Sequence, residues 1–195
     1  MILVPEHIRG LVFDCDGTIA DTMPAHFKAW TEAFNQHGVE FSEELFYELG
    51  GTPTHKIVEY LNERYGRSMP VMETANYKES LFEKHIENVM PIEPVVEVVR
   101  RYHGKLPMAV ATGGFGRVVD NILRKLGIRD SFETIVAAED VAHGKPAPDV
   151  FLEAARRLNV DPKLCMAFED ANLGVQSATA AGMMVVDIRL LPKEA

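Results

Sequence analysis

Two aspartates one residue apart, Asp14 and Asp16, follow directly on the apolar run Leu11-Val-Phe13. The run reads as a buried strand. Two carboxylates at the end of such a strand are costly unless something uses their charge. A hard divalent cation that takes oxygen ligands would do so. In extended backbone both carboxylates point to the same side. If the strand is already ending, the Asp16 carbonyl faces the cation instead. Gly17 permits a tight exit, and Thr18 follows as a candidate substrate-binding residue. The bland alternative is an acidic turn that solvates a strand end.

Three further groups widen the chemistry. They are Thr112 with Gly113 and Gly114, Lys145 in Gly-Lys-Pro-Ala-Pro-Asp149, and the pair Glu169-Asp170. Phosphoryl transfer needs an in-line nucleophile, neutralisation of the phosphoryl oxygens and an acid for the leaving alcohol. Asp14 can attack to form an aspartyl-phosphate. Asp16 can act as general acid and then as base toward water. The Thr112 hydroxyl and the N–H groups of Gly113 and Gly114 can hold phosphate oxygens at a helix start. Lys145 can offset crowded negative charge, in a loop stiffened by prolines and tied to the next helix by Asp149 as its cap. Asp170 with Glu169 completes a Mg²⁺ site beside Asp14, with Asp16 as a further ligand. Taken singly, Thr112 reads equally as a strand-end hydroxyl, Lys145 as a solvated lysine, and the acidic pair as a helix N-terminus. Their coincidence with Asp14-x-Asp16 argues for a site.

The elements that must position these residues follow from hydrophobic periodicity. Strands are expected at Leu11–Phe13, Met108–Thr112, Thr134–Ala138, Leu164–Phe168 and Met184–Ile188. Helices separate the last four. Alternating strands and helices imply a parallel sheet covered on both faces. Right-handed crossovers favour a doubly wound α/β order of 5-4-1-2-3, with the first strand central. Ligands bind such sheets at the carboxyl ends of strands near the switch point, where Asp14, Asp16, Thr112 and Asp170 fall.

Residues 20–90 show no clear strand. Met23, Phe27, Trp30 and Phe34 mark a helix from about Pro24 to Gln36, followed by helices from Ser42 to Leu49, around Ile57–Leu61, and from Pro70 to Asn88. The expected division is a catalytic core of 1–20 and 91–195 with an inserted helical cap of 21–90. An insert leaving the core beside the site is placed to act as a lid. His26 on its first helix reads either as a surface histidine or, as favoured here, as a group aimed at a substrate ring. Trp30 reads as cap core. Lys78 reads at least as readily as a solvated lysine as a substrate contact.

The chain has 195 residues, a net charge of -9 and two cysteines, Cys15 and Cys165, which read as buried and reduced. The acidity argues against nucleic-acid binding. No signal peptide or membrane span is legible. A cytoplasmic monomer is expected.

The set Asp14-Cys-Asp16-Gly-Thr18, Thr112, Lys145-Pro146 and Glu169-Asp170 resembles the four motifs of the haloacid dehalogenase-like hydrolases. The helical insert is similar to the small cap of their β-phosphoglucomutase-like branch. The resemblance implies Mg²⁺ dependence, Asp14 as phosphorylated nucleophile and Asp16 as acid/base. It aligns His26 with a cap histidine ten residues past the acid/base aspartate. Counted from Gly51, it aligns Thr54 with a cap arginine that grips a second phosphate, and loosely Lys78 with a cap lysine. Losing a charge-assisted bidentate contact weakens the hold on a bisphosphate and lets water take the phosphoryl group. The expected activity is therefore a phosphatase acting on a small sugar phosphate, a hexose phosphate such as fructose 1-phosphate. A β-phosphoglucomutase is the alternative, and a non-catalytic phosphate-binding module a more distant one.

Overall fold

A computed structural model of the chain describes residues 2–50 and 52–191. The chain divides into two compact units, Met1–Asp21 with Met90–Ala195, and Thr22–Val89.

The first unit is α/β. In chain order it contains strands β1 (Gly10–Phe13), β2 (Ala20–Asp21), β3 (Met90–Pro91), β4 (Met108–Ala111), β5 (Thr134–Val136), β6 (Cys165–Glu169) and β7 (Met184–Asp187). Five of them form one parallel sheet in the order β5-β4-β1-β6-β7. This is the expected doubly wound arrangement with the first strand at its centre. The difference in detail is the two-residue ribbon of β2 and β3, which pair antiparallel at the points where the chain leaves and re-enters this unit. Strands this short carry no alternation that a sequence reading could detect.

Parallel register explains which residues share a face. Val12 lies level with Ala109 and Ala167, and Phe13 with Val110 and Phe168. Val12, Ala109, Ala111, Cys165 and Ala167 pack in one apolar cluster with Val150, Phe151, Ala154, Ala155 and Ala178. Phe13 on the opposite face stacks on Phe168 at 4.5 Å between ring centroids. Continuing the alternation, Asp14 just past β1 follows Val12, and Glu169 at the end of β6 follows Cys165 and Ala167. Both carboxylates are thereby directed to the face covered by Phe151 and Ala178.

The second unit consists of helices α1 (Met23–Asn35), α2 (Glu43–Glu48), α3 (Thr54–Tyr65) and α4 (Val71–His85). Ser42 caps α2 by accepting from the Leu45 N–H at 3.2 Å, and Gly66 ends α3 in the left-handed conformation. Its core is aromatic: Trp30 stacks on Phe34 at 4.7 Å, and Phe34 meets Phe41 edge-on at 5.0 Å. Trp30 is cap core, as its spacing suggested. The remaining helices of the first unit are α5 (Glu93–Tyr102), α6 (Gly116–Lys125), α7 (Asp149–Leu158) and α8 (Asn172–Ala180). No helix among the described residues is long and apolar enough to cross a membrane.

Candidate active site

Strand β1 ends at Phe13, and the Asp14 N–H still donates to the Phe168 carbonyl at 3.0 Å. The chain then turns sharply. The Cys15 carbonyl accepts from the N–H groups of Thr18, Ile19 and Ala20, and Gly17 adopts φ +80°. A side chain at Gly17 is excluded twice over, because its Cβ would lie 2.3 Å from Asp170 Oδ2. The turn thus brings backbone against a carboxylate that stands just past the end of β6.

Carboxylate oxygens of Asp14, Glu169 and Asp170 lie within 4.8 Å of one another. The Asp16 carboxylate is not part of this group. It lies on the other side of the turn, with Oδ2 3.5 Å from where a Cβ on Gly114 would sit. Of the two backbone courses open to Asp14 and Asp16, this is the one in which β1 has already ended at Phe13 and the backbone has turned.

Lys145 closes the cluster. Its ammonium donates to Asp14 Oδ1 at 2.6 Å and to Glu169 Oε1 at 2.5 Å, and sits 5.2 Å from the Phe151 ring centroid. It is not a solvated loop lysine. Burial disfavours its charge, but Asp14 and Glu169 outweigh that and raise its pKa. Burial pushes the Asp14 carboxyl well above its ordinary range; Lys145 opposes this, while Glu169, Asp170 and Asp16 add to it. The Asp170 carboxyl is raised to about 6, first by burial and then by Glu169. Three clustered carboxylates, two of them buried on a single ammonium, are short of positive charge. Their hard oxygen donors and close spacing fit Mg²⁺.

Glu169 is fully committed: Oε1 to Lys145, and Oε2 to the Ala171 N–H at 2.7 Å. Thr18 is buried, and its hydroxyl donates to Asp170 Oδ1 at 3.0 Å. The Thr18 hydroxyl, expected as a substrate contact, is here engaged with a carboxylate.

At the end of β4, Thr112 is buried and its Oγ1 accepts from the Gly114 N–H at 2.9 Å. The Gly114 N–H, expected to hold phosphate, is engaged with Thr112 in this structure. The arrangement leaves the Thr112 hydroxyl proton to donate elsewhere. The start of α6 is also partly used, because Gly116 N–H donates to Glu139 Oε1 at 2.9 Å. Nothing lies within 4 Å of a Cβ built on Gly113. Asp149 does not cap α7, whose N-cap is Pro148; its carboxylate pairs with His143 Nδ1 at 2.9 Å.

Within the helical unit, Lys78 is buried rather than solvated. Its ammonium lies 2.8 Å from His26 Nδ1, 3.1 Å from Glu79 Oε1, and 5.2 Å from the ring centroids of Trp30 and Phe82. An ammonium can only donate, so His26 Nδ1 is the acceptor and Nε2 carries the proton. The His26 ring stacks on Phe82 at 3.7 Å. The Thr54 hydroxyl donates to Glu79 Oε1 at 2.8 Å. Gly51, the reference point for Thr54, lies outside the described residues. Sequence reasoning missed Glu79, Gly174 and Ser177. Glu79 follows Lys78 directly, but nothing in the spacing signals that it accepts from both Lys78 and Thr54.

An aspartate paired with a lysine, beside a carboxylate cluster at the carboxyl end of a doubly wound sheet, suits phosphoryl-transfer chemistry. The chain belongs to the haloacid dehalogenase-like hydrolases, whose family profile matches residues 11–188. It is 42% identical over 187 residues to the fructose-1-phosphate phosphatase YqaB of Escherichia coli, covering 95% of this chain and 99% of that protein. It is 31% identical over 189 residues to the β-phosphoglucomutase of Bacillus subtilis, covering 93% and 83% respectively. Among solved structures, a β-phosphoglucomutase from Clostridium difficile superposes with a TM-score of 0.78 at 27% identity, covering 92% of this chain and 84% of that one. These relationships place the chain among the phosphoric monoester hydrolases of the family.

Proposed function

We propose that the protein is a Mg²⁺-dependent phosphatase of small sugar phosphates, with a hexose phosphate such as fructose 1-phosphate as substrate and Asp14 as the phosphorylated nucleophile. The observation that carries this reading is the Asp14–Lys145 contact at 2.6 Å beside Glu169 and Asp170. The ammonium opposes the burial that raises the Asp14 carboxyl and so favours its ionised form, which attack on phosphorus requires. The leaving alcohol takes its proton from Asp16. Asp16 then draws a proton from water as that water attacks the aspartyl-phosphate, which restores Asp14 and releases inorganic phosphate. The Thr112 hydroxyl donates to a phosphoryl oxygen, since its own oxygen is already held by the Gly114 N–H. Asp14 and Asp170 would hold Mg²⁺ with the Asp16 carbonyl, and Glu169 would support them from its place between Lys145 and the Ala171 N–H. The bound cation supplies positive charge to the phosphoryl oxygens as the reaction proceeds.

His26 and Lys78 are proposed as the groups of the helical unit that select the sugar. Thr54 at the position aligned with a phosphate-gripping arginine supports hydrolysis over mutase chemistry. The 31% identity with a β-phosphoglucomutase keeps that activity as the second reading. Both are tested with Mg²⁺ and a panel of hexose, pentose and triose phosphates, including β-glucose 1-phosphate with its bisphosphate activator. Free phosphate, released fastest from fructose 1-phosphate, is the expected result. Glucose 6-phosphate appearing without free phosphate would establish the mutase reading instead.

A further inference from the structure

Helix α8 buries small residues, among them Gly174 and Ser177, on one face. Gly174 makes room for the Glu169 carboxylate, which a Cβ there would overlap. Ser177 lies three residues on, next to Gly174 on the same helical face. It is fully buried, and its hydroxyl donates to the Ala147 carbonyl at 2.5 Å. Ala147 is two residues past Lys145, and its own N–H donates to the Gly144 carbonyl at 3.0 Å, closing the loop on itself. One helix face therefore holds both halves of the Lys145–Glu169 ion pair. It seats the carboxylate beside Gly174 and anchors the lysine loop through Ser177. The other tie on this loop, His143 to Asp149, is on an exposed histidine and is correspondingly weaker.

We propose that Ser177 is a positioning residue that keeps the Lys145 ammonium between Asp14 and Glu169, and so sets the competition between that ammonium and a divalent cation for Asp14, the carboxylate they share. A lysine side chain gives up considerable rotamer freedom to sit at one point. It does so only if its backbone is fixed. Loosening the loop withdraws the ammonium part of the time. The carboxylate cluster then becomes more negative and binds a divalent cation more tightly, while Asp14 loses the partner that orients it. Metal affinity and turnover move in opposite directions. General loosening of the fold would weaken both.

The inference rests on the proposed role of Lys145 beside a nucleophilic Asp14, and its test is separable from that role. Mg²⁺ is titrated calorimetrically, without substrate, into the wild type, Ser177→Ala, Ser177→Cys, Lys145→Ala and the Ser177→Ala/Lys145→Ala double variant. Phosphate release is followed in parallel. Ser177→Cys nearly preserves the volume, so at least one variant keeps the packing. Both Ser177 variants are expected to bind Mg²⁺ roughly threefold to tenfold more tightly and to turn over about fivefold more slowly, the scale of one hydrogen bond. In the Lys145→Ala background Ser177→Ala should add nothing. Unchanged or weaker Mg²⁺ binding in both variants, or an equal effect without Lys145, would overturn the proposal. Absence of phosphate release by the wild type would instead overturn the functional reading, while the metal titration would still decide the role of Ser177.

Discussion

The Glu169 carboxylate lies against the backbone of Gly174, with Oε1 only 1.7 Å from where a Cβ on that glycine would stand. Glu169 cannot easily retreat, because both its oxygens are bonded and it is buried. Gly174→Ala must therefore displace the carboxylate, and with it Lys145 and Asp14. A misplacement of about 1 Å at a reacting group costs on the order of 100-fold in rate. Loss of about that size in kcat, with the helical unit intact by circular dichroism, is the expected outcome.

Thr18→Val keeps shape and volume but removes the hydroxyl that bonds Asp170. If Thr18 orients a metal-binding carboxylate, the variant needs roughly tenfold more Mg²⁺ for half-maximal rate, about the worth of a hydrogen bond to a charged group. The KM for sugar phosphate at saturating Mg²⁺ should stay near the wild-type value. A raised KM with unchanged Mg²⁺ demand would restore Thr18 as a substrate contact.

Asp170 has an ordinary carboxyl value of 3.8 and is raised in the fold to about 6, by burial first and Glu169 second. The folded state then holds a proton that the unfolded chain has released. Its contribution to stability is fully present below pH about 4 and is lost as pH rises through about 6. Thermal unfolding of the metal-free protein should show that decline. Added Mg²⁺ should restore stability above pH 6, since the cation replaces the proton as the partner of the carboxylate.

Lys78→Met tests the buried lysine of the helical unit. The methionine fills most of the volume but removes the donor to His26 Nδ1 and one of the two donors to Glu79. Losing a charge-assisted hydrogen bond at half-buried partners costs on the order of 1 kcal/mol. A fall in thermal midpoint is expected, together with a raised KM if Lys78 selects the sugar. The second effect without the first would show that the ion pair adds little to the fold.

What was legible in the chain was whatever period and motif could carry. Four-residue strands such as Met108–Ala111 stand out as apolar runs, and Asp14, Thr112 and Asp170 fall at their ends. The partners that orient those residues were not legible. Thr18 reaches Asp170 across 152 residues of sequence, a separation at which local spacing says nothing. Gly174 and Ser177 sit in a helix of small residues, where the same composition would serve close packing with no site at all. Lys78 lies among Lys and Glu residues in α4, so its burial had no signature. Asp149 looked like a cap by type, but it stands one residue too far into α7 and its charge is taken by His143.

The most direct test is phosphate release from fructose 1-phosphate by Asp14→Asn beside the wild type, under saturating Mg²⁺ and with folding checked by circular dichroism. The amide keeps the shape of the carboxylate but cannot serve as the nucleophile. The account predicts a loss of roughly 1,000-fold or more, in line with removal of a covalent nucleophile. Turnover by Asp14→Asn close to that of the wild type would contradict it.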